Sequence, residues 1–432
     1  MSDSDALLWT IGRDPMLRTT ICAVVELDRP PEWETVRKRF AALVEVLPAF
    51  RSTVRHGAFG NRRPTWVEDP AFDLDLHVRR LTLPAPGDLR GVLDLAQSMA
   101  TVAFDPELSP WEAAVVDGLA GGRAALVVKI HHAMVDGLGG MAVAARLLDG
   151  VPVHEPAAPR PQPGVLARAA GAAAALARGT ARALSSPGRV LSEADALVTS
   201  TARLLAPSSS PLSPVMVGRG LHRRFEVLDL DLDLLRRRAQ ASGTSVNDVF
   251  VDGILGGLRQ YHEAHGSGPE HLRVLMPISV RADGDGGTGN HFVPARFVLP
   301  LGADPAARLQ AVHRATSAWK SAPALSLSDV LAAGLGLLPP VVATAVWGSM
   351  LKGTDFCATN VPGPPFETWL AGSRVERFYA FAPPSGAACN VALVTIAGRA
   401  CVGVNADPAA IPDAATFLSC LAYGFAEPEV PR

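Results

Sequence analysis

The stretch Val127–Gly140, VVKIHHAMVDGLGG, closes an apolar run with two adjacent histidines and follows them with an Asp-Gly pair. The chain has 11 histidines and 39 glycines in 432 residues. Chance would therefore produce His-His-x-x-x-Asp-Gly on the order of 10⁻³ times per chain. RAALVVKI before the pair reads as a buried strand, and GMAVAARLLDG after it reads as a helix. The histidines thus lie in a strand-to-helix loop, where α/β proteins place ligand-binding residues.

Two histidines and an aspartate can form a facial metal triad. Adjacent residues at a strand end point to opposite faces, however, so His131 and His132 are poorly placed to hold one ion. One ring should face a cleft and the other the protein body. A single cleft-facing imidazole titrates near neutral pH and suits general-base catalysis. A purely structural pair is the bland alternative, and it stays open at this point.

Working outward, RTTICAVVEL alternates apolar residues as a half-buried strand does, and PEWETVRKRFAALVEVL carries a helical stripe through Trp33, Val36, Phe40, Leu43 and Leu47. From Pro152 the composition changes to a proline-rich connector, an alanine-rich helix and the flexible piece APSSSPLSP. After about Gly220 the alternation resumes. RRFEVLDL, LRVLMPISVR, NHFVPARFVLPL, CNVALVTIAG and RACVGVNAD read as strands. SVNDVFVDGILGGLRQYHEAHG and the segments from Pro305 and Pro412 read as helices. The expected organisation is α/β, with an N-terminal domain over 1–151, a linker over 152–220 and a C-terminal domain over 221–432.

Composition excludes several classes. With 48% hydrophobic residues and a formal net charge of -2, the chain has ample core and no basic stripe for nucleic acid. The five cysteines show no paired spacing and sit in apolar surroundings, which argues against zinc or a disulfide framework. The N-terminus lacks a signal-peptide pattern, so the cytoplasm is the expected compartment. Val330–Leu351 has no charged residue over a length that could span a bilayer. Pro339-Pro340 at its centre favours two buried helices joined by a turn, with shallow membrane contact left open.

Two motifs are decoys. GDGGTG, Gly284–Gly289, matches a dinucleotide fingerprint but precedes a strand-like run. The alternating Asp229, Asp231 and Asp233 lack the glycine and glutamate of a calcium loop, and read as a strand end followed by a helix start. The pair Asn247-Asp248 is ambiguous, because an acidic residue in a first helical turn is favoured by the macrodipole alone.

Together with the histidine loop, the blocks DALLWTIGRDPMLRTTI, LPAFRSTV, PTWVEDPAFDLDLHVRR, SVNDVF, PISVR and TNVPGPP resemble those of bacterial wax ester synthase/diacylglycerol acyltransferases. These belong to the CoA-dependent acyltransferase superfamily. The likeness runs nearly end to end. It implies two chloramphenicol-acetyltransferase-like sandwich domains with the active site in the cleft between them. It also implies transfer of a fatty acyl group from acyl-CoA to a long-chain alcohol or diacylglycerol, with no metal or other cofactor.

By the same resemblance His132 is the general base beside His131, Asp136 braces the loop and Gly137 permits the turn. Asn247, Asp248, Asn360, Pro362 and Gly363 fall on family motifs. Arg281 is the expected partner of Asp136, with capping of the next helix as the alternative. Contact with a membrane or lipid-droplet surface is a further expectation. The chain departs from the family pattern at Ser109-Pro110-Trp111-Glu112, at Thr359 and at Thr395-Ile396. Those departures leave open a second acceptor class, a hydroxyl of a polyketide, glycolipid or peptide.

Overall fold

The computed structural model describes residues 1–56, 64–152, 210–279, 292–302, 304–320 and 340–427. Two six-stranded mixed sheets dominate it. In the first half β1 (Thr20–Leu27), β4 (Val78–Gly87), β5 (Trp111–Leu119) and β6 (Arg123–His131) are interleaved with α1 (Asp3–Ile11), α2 (Trp33–Val46), α3 (Leu89–Thr101) and α4 (Gly137–Leu147). A small hairpin pairs β2 (Ser52–Arg55) with β3 (Thr65–Glu68). The two histidines stand where β6 gives way to α4, as the sequence pattern predicts.

The second half contributes β7 (Arg224–Asp231), α5 (Leu232–Ser242), α6 (Val246–Ala264), β8 (His271–Ser279), β9 (Phe292–Pro300) and α7 (Pro305–Lys320). It continues through α8 (Pro340–Leu351), β10 (Phe356–Pro362), β11 (Trp369–Leu370), β12 (Ser373–Phe381), β13 (Cys389–Ile396), β14 (Arg399–Ala406) and α9 (Ala414–Ala426). The sheet orders are β11-β12-β1-β6-β5-β4 and β7-β14-β13-β10-β8-β9.

The first of these orders corrects the expected division at residue 221. β11 and β12 come from the second half of the chain but pair into the first sheet, with β12 antiparallel to β1 from Cys22↔Phe381 to Leu27↔Val375. Backbone hydrogen bonding therefore locks the halves together, and a contiguous 221–432 domain does not describe the molecule. Pairing follows sheet geometry, which a reading by runs of sequence does not see. At the join, a β-carbon on Gly403 of β14 would come within 2.2 Å of the Ala380 carbonyl oxygen of β12. Only glycine admits that backbone approach.

Each sheet carries its own core. Phe40, Phe50 and Trp111 are fully buried in the first, where Trp111 stacks on Phe40 at 5.6 Å between ring centroids. Phe250, Ile254, Leu258 and Phe356 anchor the second. Beneath α6 lies a buried ionic group in which Arg308 bonds Asp252 and Glu427, each at 2.7 Å. All five cysteines are buried free thiols.

The uncharged segment is only partly as expected. Residues 330–339 lie outside the described residues, and α8 is a helix whose first turn is on the surface, with Val341 81% exposed. No helix among the described residues is long and apolar enough to cross a membrane. The alanine-rich part of the linker and Gly284–Gly289 also lie outside the described residues. Asp231 closes β7 and caps α5 by accepting from the backbone N–H groups of Asp233 and Leu234, so the aspartate alternation is a strand-to-helix junction.

Candidate active site

A cavity of about 250 Å³ opens where the two halves meet. His132 lines it, together with Asp136 and Gly137 at the start of α4 and Thr359 and Asn360 on β10. Most of its remaining wall is aliphatic. The loop is fixed by its backbone: the His131 N–H donates to the Pro110 carbonyl at 3.0 Å, and the His132 N–H donates to the Thr19 carbonyl at 2.7 Å.

His131 turns the other way, into the protein body, and is buried. Its Nδ1 accepts from the Ala133 backbone N–H at 3.1 Å, and its Nε2 lies 3.1 Å from Thr19 Oγ1. Burial pulls its pKa down to about 3, and the neighbouring His132 pushes in the same direction. A neutral ring whose Nδ1 is an acceptor carries its proton on Nε2, so Nε2 donates to Thr19. The Thr19 hydroxyl in turn donates to the Leu8 carbonyl at 3.4 Å, and Trp9 packs on the ring at 4.5 Å between centroids. Both ring nitrogens of His131 are thus engaged by the protein, and His131 itself does not line the cavity. The two histidines do not converge on one ion.

Asp136 is the N-cap of α4, where its Oδ1 accepts from the Gly139 N–H at 2.7 Å. That is the capping role held open in the sequence. Arg281, the expected partner, lies outside the described residues. Gly137 is not in a left-handed conformation, so the turn is not what requires glycine there. The constraint is space, since a β-carbon would meet Val361 Cγ2 at 2.9 Å. Gly363 is constrained more tightly: its N–H donates to the Thr395 carbonyl at 2.8 Å, and a β-carbon would approach that oxygen to 2.5 Å. Val361 therefore packs the end of β10 against the start of α4, and Gly363, just past Pro362 at the end of that strand, packs against β13.

Asp248 is not brought to the site. It forms a capping box with Ser245 at the start of α6 and accepts from His313 Nδ1 at 2.9 Å and Thr316 Oγ1 at 2.7 Å. Burial alone would raise its pKa, but these hydrogen bonds outweigh it and hold the carboxyl below its usual range. Asn247 precedes it in the same first turn, and neither residue lines the cavity. Trp111 of the departing Ser-Pro-Trp-Glu block is structural as well, donating from Nε1 to the Phe50 carbonyl at 2.8 Å.

Sequence reasoning missed Thr19 and Trp9: the pairing of β1 with β6 brings Thr19 to His131, 112 positions later in the chain, and α1 carries Trp9 onto the same ring.

Two family models cover most of the chain. The wax ester synthase/diacylglycerol acyltransferase catalytic domain matches residues 1–250, and the WS/DGAT C-terminal domain matches residues 288–428. The chain belongs to the wax ester synthase/diacylglycerol acyltransferase family. A relative from Mycobacterium tuberculosis strain H37Rv, named for a diacylglycerol O-acyltransferase, is 33% identical over 98% of this chain and 90% of its own. The wax ester synthase/diacylglycerol acyltransferase of Marinobacter aquaeolei VT8 shares the fold with a TM-score of 0.63, at 20% identity over 98% of this chain and 97% of its own. The first condensation domain of the calcium-dependent antibiotic synthetase does so with a TM-score of 0.62, at 16% identity over 100% of this chain and 96% of its own. The family's two-domain, chloramphenicol-acetyltransferase-like architecture is thus the one seen here.

Proposed function

We propose that the protein is an acyl-CoA-dependent O-acyltransferase that esterifies a long-chain alcohol or a diacylglycerol, with His132 as general base. The observation that carries this is the position of His132, a single histidine on the wall of a largely aliphatic cavity between the two halves. An alcohol is almost wholly protonated at neutral pH and is a poor nucleophile. In this reading His132 accepts the hydroxyl proton as the oxygen attacks the thioester carbonyl. The C–S bond of the tetrahedral intermediate then breaks, and the proton passes to the departing CoA sulfur, whose thiol pKa is about 8.5.

Asn360 reaches the same cavity from the second half and offers an amide donor for the developing oxyanion. No metal or prosthetic group enters the scheme, and acyl-CoA is a co-substrate. An acceptor of this kind resides in a lipid phase. The exposed Val341 and Val342 at the start of α8 suit contact with such a surface.

Incubation with palmitoyl-CoA and a panel of alcohols, following free CoA, tests the reading. CoA release that depends on hexadecanol or dioleoylglycerol is expected. Release only with hydroxylated polyketides, glycolipids or peptides would move the acceptor to that class, and no alcohol-dependent release would refute O-acyl transfer.

A further inference from the structure

The registers of β12, β1 and β6 arrange the cavity wall as rungs. Beyond His132 and Thr19, Ile21 pairs with Ile130. Two residues further along, Ala23 pairs with Val128 on one side and Ala380 on the other. Two more residues on, Val25 pairs with Leu126 and with Phe378. All of these line the cavity. The next inward pair, Leu27 and Ala124, is fully buried and does not line it. The Phe378 rung is therefore the end of the groove.

Strands advance about 3.3 Å per residue, so the six residues from Thr19 to Val25 set a depth on the order of 20 Å. Helix α4 runs alongside, presenting Gly140, Met141, Ala144 and Leu147 to the same space. Along this arm beyond the first rung no charged or hydrogen-bonding side chain faces the cavity among the residues just named. The middle rung is the narrow-walled one, where two alanines leave room that larger side chains would close.

We propose that this ladder is a gauge for an unbranched alkyl chain: Ala23 and Ala380 let the chain pass, and Phe378, Val25 and Leu126 stop it. The proposal rests on the acyltransfer reading above and specifies the length selectivity of that site. The chain could belong to the thioester or to the acceptor alcohol, because both present the same chemistry. A methylene excluded from an apolar groove costs about fourfold in affinity.

Ala23→Leu should therefore lower the ratio of kcat/KM for palmitoyl-CoA over hexanoyl-CoA at least tenfold, measured with a fixed alcohol. Phe378→Ala should move the optimum toward longer chains. The same two variants assayed with hexadecanol against hexanol, at fixed acyl-CoA, identify the source. A shift in the acyl series assigns the groove to the donor, and a shift in the alcohol series assigns it to the acceptor. Unchanged length ratios in both series, in variants that melt as the wild type does, would overturn the proposal.

Calorimetric titration with palmitate and hexanoate separates the gauge from the catalytic reading. Selective loss of palmitate binding in Ala23→Leu supports the gauge even if no alcohol is esterified. Equal binding of palmitate, and of hexadecanol titrated in the same way, by wild type and Ala23→Leu overturns it.

Discussion

Val361 stands against the backbone of Gly137, so close that a β-carbon on Gly137 would lie 2.9 Å from Val361 Cγ2. Valine is stiff at χ1 and cannot swing aside freely. Gly137→Ala should push β10 away from α4 and lower kcat/KM several-fold. Val361→Ala in the same chain should restore most of the loss, because the two changes share one contact. Additive losses would show that Gly137 is needed for some other reason. At Gly363 the obstacle is the Thr395 carbonyl oxygen, which has no rotamer to change. Gly363→Ala should therefore be the more damaging substitution, with no side-chain change able to relieve it. Steady-state kinetics on the three single variants and the double variant check both statements.

His132→Ala should reduce turnover by about 10²- to 10⁴-fold, the usual cost of losing a general base. The fold should persist, since the His132 contact to Thr19 described above is a backbone one. Retention of more than about a tenth of wild-type turnover would place the base elsewhere. His131→Ala should instead be read first in stability, because its ring is buried and bonded to Thr19 and Ala133.

The histidine loop was legible because strand alternation alone separates the faces of His131 and His132. The rest of the site was less so. Thr19 meets His131 only through the antiparallel register of β1 and β6, and Ala380 and Phe378 join the cavity only because β12 crosses to the first sheet. Neither relation leaves a local pattern in the sequence. Asp248 shows the opposite difficulty. Its motif was plain, yet Ser245 three residues earlier marks a capping box, and the structure uses it that way. The need for glycine at position 137 was visible, but its cause lies more than two hundred residues away in Val361.

Asp136 as the cap of α4 gives a graded expectation. Asp136→Ala should cost about 1 kcal/mol of stability, whereas Asp136→Ser, which keeps a cap acceptor, should cost only a few tenths. Denaturant titration of the two variants measures the difference. Equal destabilisation would mean that the carboxylate charge, and not the cap, holds the loop.

The pH dependence of stability should expose the state of His131. Its folded pKa is depressed to about 3 by burial and by the adjacent His132, whereas an unfolded histidine titrates at about 6.5. Between those values the unfolded chain binds a proton that the folded chain refuses. Acidification therefore favours unfolding by about 1.4 kcal/mol per pH unit for this one group. The contribution is fully present above about pH 6.5 and is lost progressively toward pH 3. His131→Asn removes the titration. Its deficit relative to the wild type should accordingly shrink by roughly 2–3 kcal/mol as the pH falls from 7 to 4.5. Thr19→Val leaves the ring in place but takes away the Nε2–H acceptor, so it should be less stable than wild type at pH 7 by about 1–3 kcal/mol, with Thr19→Ser largely restored. Parallel pH curves for wild type and His131→Asn would mean that His131 accepts a proton in the folded protein, and the assignment of a neutral, Nε2-protonated ring would be wrong.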